Sequence, residues 1–386
     1  MVKKIRNVII TLILVALAIF FIFVPTSIDK SMNKVTSVYD GGNLALYNTL
    51  PFVADLHCDM LLWDRDFFKE HHYGHVDLPR MKKANMAFQV FTVVSKTPRG
   101  INIEQNDDDT DQIALLSFAQ LRPPTSWFSI KSRALHQCRQ LHQFAEASNG
   151  DFRVITSQNE LRQFISDRKE NFILSAGMLG LEGAHCLEGD INNLQTFYDA
   201  GVRYIGLAHF FDNEWAGSAH GMKKGGLTDL GKKLVTKMEE MNIIIDLAHS
   251  SPQTIDEVFA LTSKPVIISH TGVKGMCDNQ RNLSDKHLEE IGRRKGLVGI
   301  GLWSTAVCGS DATATAKSIR YVADKIGVDK VALGSDFDGA LTTHFDVTGL
   351  TLIMEALIAE GFSVDETELI MGGNVRNFLL KNLPVN

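Results

Sequence analysis

From Pro51 onward the chain repeats one unit: a short apolar run, a polar or charged residue at its end, and then a stretch with helical patterning. Eight such runs are expected to be strands: Phe52–Asp59, Ala87–Val94, Met178–Gly183, Arg203–His209, Ile243–His249, Val266–His270, Leu297–Trp303 and Val331–Asp338. They are rich in Val, Ile and Leu with little alternation, which suits parallel strands buried on both faces. Helices are expected at Asp229–Asn242, Ser284–Arg294 and Asp311–Ile326, with a last one opening on the capping-box pattern Asp365-Glu-Thr-Glu368. Such alternation predicts an α/β fold, either a closed (β/α)8 TIM-type barrel or a large doubly wound sheet. No Gly-rich phosphate loop follows the first strand, which argues against the nucleotide-binding version. With 386 residues, 45% of them hydrophobic, one barrel domain at 51–386 accounts for the repeat.

The N-terminus is different. Lys3, Lys4 and Arg6 precede an uncharged apolar run from Val8 to Val24 that meets Pro25. At 1.5 Å per residue this run spans roughly 25 Å, the short end of what crosses a bilayer. Residues 1–25 are expected to form a membrane anchor or a signal peptide. The anchor is preferred because no small-x-small cleavage site follows, and the basic end is expected inside. Either version exports the remainder, to the periplasm or the cell exterior. Residues 26–50, polar and Gly-containing, read as a tether and lead-in.

The net charge of −6, with no long basic block, argues against nucleic acid as a partner. Five cysteines without a CxxC motif indicate neither a zinc ribbon nor a redox motif. The stretch from Ser95 to about Phe128 is expected to be irregular, with Asp107-Asp-Asp-Thr-Asp111 as a solvated loop.

Chemistry is concentrated at the strand ends. His57, Asp59, Glu182, His209, His249, His270 and Asp336 all close predicted strands, and in a barrel those ends converge on one mouth. Imidazole nitrogen and carboxylate oxygen together suit a divalent transition metal. His57 and Asp59 lie two apart and share one side of their strand, whereas Cys58 points the other way and reads as a buried inert thiol. Cys186 is not readily assigned.

The pattern Asp55-Leu-His57-Cys-Asp59, Leu181-Glu182-Gly-Ala-His185, Arg203-Tyr-Ile-Gly-Leu-Ala-His209, Ile245-Asp-Leu-Ala-His249-Ser and Pro265-Val-Ile-Ile-Ser-His270 resembles the membrane dipeptidase family, peptidase family M19. The resemblance continues through Arg281-Asn282, Gly334-Ser-Asp336-Phe-Asp-Gly339 and Gly372-Gly-Asn374. It implies two zinc ions, the first on His57 and Asp59, the second on His249 and His270, with Glu182 bridging them. Such a pair, about 3.5–4 Å apart, holds a shared water and acidifies it to hydroxide. Asp336 would move the water's proton to the leaving amine, and His209 would donate to the developing oxyanion. Arg281 would pair with the α-carboxylate of a free dipeptide, where a planar guanidinium fits well. Trp215 falls where the family pattern has a tryptophan and is expected to wall the pocket. The same resemblance implies a Cys277–Cys308 disulfide and a homodimer. His185 and Asp246 read as structural or as supports behind the ligands, and Asp338 as a support behind the site or a cap on the turn that follows it. Phe210 and Phe211 depart from the family pattern, where several members carry a cysteine, and leave substrate preference open. Two rivals stay open: an amidohydrolase acting on N-acyl amino acids or lactams, and a binding protein that has lost catalysis.

Overall fold

The strand residues are buried without a break, which explains why the apolar runs do not alternate. The computed structural model describes residues 2–37 and 42–386. Eight parallel strands are ordered as in the chain: β1 (Val53–Cys58), β2 (Met86–Val93), β3 (Ser175–Leu181), β4 (Val202–Gly206), β5 (Ile244–Asp246), β6 (Ile267–Thr271), β7 (Leu297–Ile300) and β8 (Val331–Leu333). Each pairs with the next. The loop after β8 returns to β1 through a bridge between Cys58 and Phe337, with the Asp59 N–H donating to the Phe337 carbonyl at 2.8 Å. The expected (β/α)8 TIM-type barrel is therefore nearly closed, and the doubly wound alternative falls. A short strand not foreseen, Phe152–Val154, lies beside β3.

Several strands are shorter than expected. β4, β5 and β8 stop at Gly206, Asp246 and Leu333, so His209, His249 and Asp336 stand in the loops just beyond. His249 (φ 61°) and Asp336 (φ 59°) adopt the left-handed conformation, which turns the chain across the barrel mouth and is sparsely populated by residues other than glycine.

The three expected helices form as Asp229–Glu240, Asp285–Arg293 and Ala312–Ile326, each capped by the side chain before it: Thr228, Ser284 and Asp311. The last capping box is Ser363 with Glu366, two residues earlier than read, because the serine hydroxyl rather than Asp365 accepts the N-terminal amide. The stretch from Ser95 to Phe128 is not wholly irregular: it contains the helices Gln112–Ala119 and Thr125–Phe128. The acidic run ends in their cap, since Asp111 accepts from the Ile113 and Ala114 amides and pairs with Arg133 at 2.8 Å.

The N-terminal helix α1 spans Val2–Met32, passing through Pro25 instead of ending there. Beyond the proline the helix is held by the barrel. Asp29 pairs with Arg65 at 3.0 Å, the Asn33 carboxamide oxygen accepts from the Ala340 amide at 2.9 Å, and Lys34–Val35 pairs with Thr342–Thr343. The expected tether is thus docked over much of its length; its residues 38–41 lie outside the described residues. Asp338 does not cap the following turn. It accepts from the His75 amide at 2.7 Å and pairs with Arg65 at 2.6 Å.

The Gly372-Gly-Asn374 motif is architectural. Asn374 donates to the carbonyls of Val328 and Val331 at 2.7 and 2.8 Å, which seats the start of β8. A Cβ at Gly372 would stand 2.0 Å from the Phe52 carbonyl oxygen at the entrance to β1. Gly372→Ala is therefore expected to destabilise the barrel by about 3 kcal/mol, seen as a lower unfolding midpoint; an unchanged midpoint would contradict this close packing.

Candidate metal centre

Glu182, the first residue after β3, is the hub of the barrel mouth. Its Oε1 lies 3.4 Å from His57 Nε2, 3.2 Å from His249 Nε2 and 3.5 Å from His270 Nε2, while its Oε2 lies 3.3 Å from His209 Nε2. His57 Nε2 is also 3.4 Å from Asp59 and 3.8 Å from Asp336. The Nε2 atoms of His249 and His270 approach to 2.9 Å. All seven side chains are buried, and they fall into three overlapping clusters able to hold a metal ion: His57, Glu182 and His270; Glu182, His209 and His249; His57, Asp59 and Asp336.

The hydrogen bonds behind these groups aim their lone pairs inward. Ser269 Oγ donates to Asp246 Oδ2 at 2.6 Å, so it accepts from His270 Nδ1 at 2.9 Å. The proton on Nδ1 leaves Nε2 of His270 as the acceptor facing the cluster. Asp246 is fixed in turn by the amides of Ala248 and Ser269, in line with the supporting role expected for it. Thr92 holds Asp59 from behind. Asp55 accepts from Gln89 at 2.6 Å and from the Ser335 hydroxyl at 2.7 Å, tying β1 to the loop that carries Asp336.

Electrostatics favour a cation here. Burial pushes the imidazoles of His209, His249 and His270 well below their ordinary pKa, so they are neutral, the form that binds metal. Burial, with Asp59 adjacent, pushes the Glu182 carboxyl up to about 7. Burial likewise holds Asp336 above the usual carboxylate range. For His57 burial works against the charge, but Asp59 and Glu182 outweigh it and hold the imidazole up. His57 Nε2 is buried and has no hydrogen-bond partner. Neutral imidazoles and crowded carboxylates around an unpartnered nitrogen are a donor set that fits divalent metal.

The remaining expected residues divide. Arg281 reaches the cavity over the cluster, with Nη2 donating to the His270 carbonyl at 2.8 Å. The Cys277–Cys308 disulfide is formed, with Cα atoms 5.2 Å apart, and it clips the Arg281 segment to the loop after β7. Cys58 is fully buried and burial raises its thiol pKa, consistent with an inert role. Cys186 is buried too, its Sγ 3.5 Å from the Gly183 carbonyl. His185 meets Ser95 Oγ at 2.9 Å, a structural contact. Trp215 does not wall the pocket: it is fully buried in the main core and is not part of the cavity lining. Trp303 lines the cavity instead, its ring 5.9 Å from that of His270. His220 was not foreseen as a site residue. Its Nδ1 bonds to the Ile103 carbonyl at 2.8 Å, and its buried Nε2, without a partner, belongs to the cavity lining. It sits on a long loop, where no strand register signals it.

A parallel barrel with such a donor set at its C-terminal mouth is suited to metal-assisted hydrolysis. The family model described as membrane dipeptidase, peptidase family M19, matches residues 44–380, and the chain belongs to that family. A dipeptidase of Aspergillus oryzae, aclJ, is 31% identical over 359 residues, covering 85% of this chain and 77% of that protein. Among solved structures, a Rhodobacter sphaeroides metallopeptidase liganded with a phosphinate mimic of L-Ala-D-Ala has TM-score 0.70 at 23% identity, covering 86% of this chain and 99% of the other. The probable dipeptidase PvdM of Pseudomonas aeruginosa has TM-score 0.72 at 17% identity, covering 88% and 97%. The protein is a metal-dependent dipeptidase.

Ser269→Ala breaks the relay from Asp246 to His270. Metal affinity, measured by chelator competition, is expected to fall roughly 10- to 100-fold. An unchanged affinity would mean that His270 needs no such orientation.

Proposed function

We propose that the enzyme hydrolyses free dipeptides with two zinc ions, one on His57 and Asp59 and one on His249 and His270, with Glu182 shared between them. The observation that carries this reading is the convergence of three imidazole Nε2 atoms within 3.5 Å of a single Glu182 oxygen. Bound zinc would supply Lewis acidity and an acidified water. Arg281 binds the substrate's free α-carboxylate and so sets the distance from that end to the scissile amide. His209 donates to the carbonyl oxygen as negative charge develops there. Asp336 takes a proton from the attacking water and delivers it to the departing amine.

In the same reading, the membrane span lies within residues 1–25 and the catalytic domain within 51–386. The helix segment Lys3–Met32 has a mean hydropathy of 3.1 over its most apolar window, of which 6% is buried, long and apolar enough to cross a membrane. Lys3, Lys4 and Arg6 then stay on the cytoplasmic side and the barrel stands at the outer face. A homodimer is proposed on family membership alone, and the mass of the detergent-solubilised particle tests it.

Asp336→Asn is expected to lower kcat by roughly 10²- to 10⁴-fold while metal content stays unchanged. Near-normal turnover would remove Asp336 from the proton path. For Arg281, the discriminating pair is a dipeptide and its C-terminal amide. The native enzyme is expected to favour the free acid, and Arg281→Ala to lose that preference; a preference that survives would place the carboxylate elsewhere.

A further inference from the structure

Asp336 sits on an uncommon stretch of backbone. Asp336, Asp338 and Ala340 alternate along the loop after β8 with φ of 59°, 63° and 57°, three residues other than glycine in the left-handed region. That region is sparsely populated by such residues, and a series of them persists only where the surroundings over-determine it. The loop also closes tightly on the Asp336 side chain, since a Cβ at Gly339 would stand 2.2 Å from Asp336 Oδ1. In so close a packing a shift of residues 338–340 is passed directly to that carboxylate.

The groups that hold the loop include the end of α1 and the two residues after it. Asn33 Oδ1 accepts from the Ala340 amide at 2.9 Å, and Asn33 Nδ2 donates to Asp29 Oδ1 at 2.8 Å. Asp29 Oδ2 lies 3.0 Å from Arg65 Nε, and Arg65 Nη2 lies 2.6 Å from Asp338 Oδ1. A second path runs through His75. Its Nδ1 accepts from the Asp338 amide at 2.8 Å, which leaves the ring proton on Nε2, 2.9 Å from the Lys34 carbonyl. Asp29, Asn33, Arg65, His75 and Asp338 are all buried, where leaving a polar partner unsatisfied is costly.

We propose that Asp29 and Asn33 are positioning residues for the hydrolysis: through Arg65 and Ala340 they keep the left-handed loop in the course that aims Asp336 at the donor cluster. This rests on the proton-shuttle reading of Asp336 above and adds what places that carboxylate. The catalytic unit then begins at Asp29 rather than at residue 51, and α1 has a second duty beside the membrane. Neither Asp29 nor Asn33 lines the cavity over the cluster, so their loss touches the proton transfer and spares substrate binding and metal retention.

The test is a pair of double-mutant cycles on the full-length, zinc-loaded protein in detergent: Asp29→Ala and Asn33→Ala, each alone and each combined with Asp336→Asn. Alone, each is expected to lower kcat for the dipeptide Ala-Ala about 10- to 100-fold, with KM and metal content unchanged. In the Asp336→Asn background each is expected to have almost no effect, because the group it places is already gone. Asn33→Ala keeps every charge, so it carries the test if Asp29→Ala lowers the unfolding temperature. An equal loss in both backgrounds would overturn the proposal, since a merely structural role does not pass through Asp336. Unchanged kcat in both variants would overturn it too, as would a loss carried by KM or by missing metal. Near-normal turnover by Asp336→Asn alone would instead overturn the shuttle reading on which the proposal rests.

Discussion

One buried carboxylate organises this protein. Glu182 has four imidazole nitrogens within 3.5 Å of its two oxygens, and Asp59 and Asp336 stand across His57. Burial pushes the Glu182 carboxyl up to about 7, and the adjacent Asp59 adds to the push, while His57 and Arg281 offset it only in part. A divalent cation held by these residues would reverse that balance, favouring ionised carboxylates and neutral imidazoles, His57 included. The surrounding fold serves to hold these donors in place. Strand ends deliver them, the Ser269–Asp246 relay fixes the His270 tautomer, and Asp55 ties β1 to the loop bearing Asp336.

The N-terminal helix and the candidate metal centre are mechanically joined. Arg65 pairs with Asp29 of α1 on one side and with Asp338 on the other, and Asp338 is two residues from Asp336. A guanidinium buried between two carboxylates resists separation, because removing either partner would strand a charge out of water. The N-terminal helix is thus continuous, through one ion-paired arginine, with the loop that carries the proposed proton shuttle. This explains why the chain does not slacken into a tether after Pro25: the last turn of α1 is held by the barrel.

Much of this was legible in the residues. Eight unbroken apolar runs announced buried parallel strands, and polar residues closing them announced the mouth. Period-two alternation separated His57 and Asp59 from Cys58, and it also puts Asp55 on their side, a signal available for its supporting role. What was not legible depends on long-range contact. Trp215 and Trp303 both follow strands and both pack in the main core, and only long-range packing decides that Trp303 also faces the cavity. His220 reaches the site on a loop held by the Ile103 carbonyl, with no periodicity to betray it. The helix Gln112–Ala119 is apolar apart from Gln112 and Ser117, so it shows no amphipathic stripe; the acidic residues before it form the exposed loop expected, and only Asp111 turns in to cap the helix.

The most direct test of the account is metal content and dipeptide turnover measured on the same full-length sample, before chelation, after chelation and after zinc is restored. The account predicts close to two metal ions per chain, turnover lost when they are removed, and turnover regained in step with their return. Full turnover by metal-free protein, or a chain that binds no metal at all, would contradict the assignment of the Glu182 cluster and the mechanism built on it.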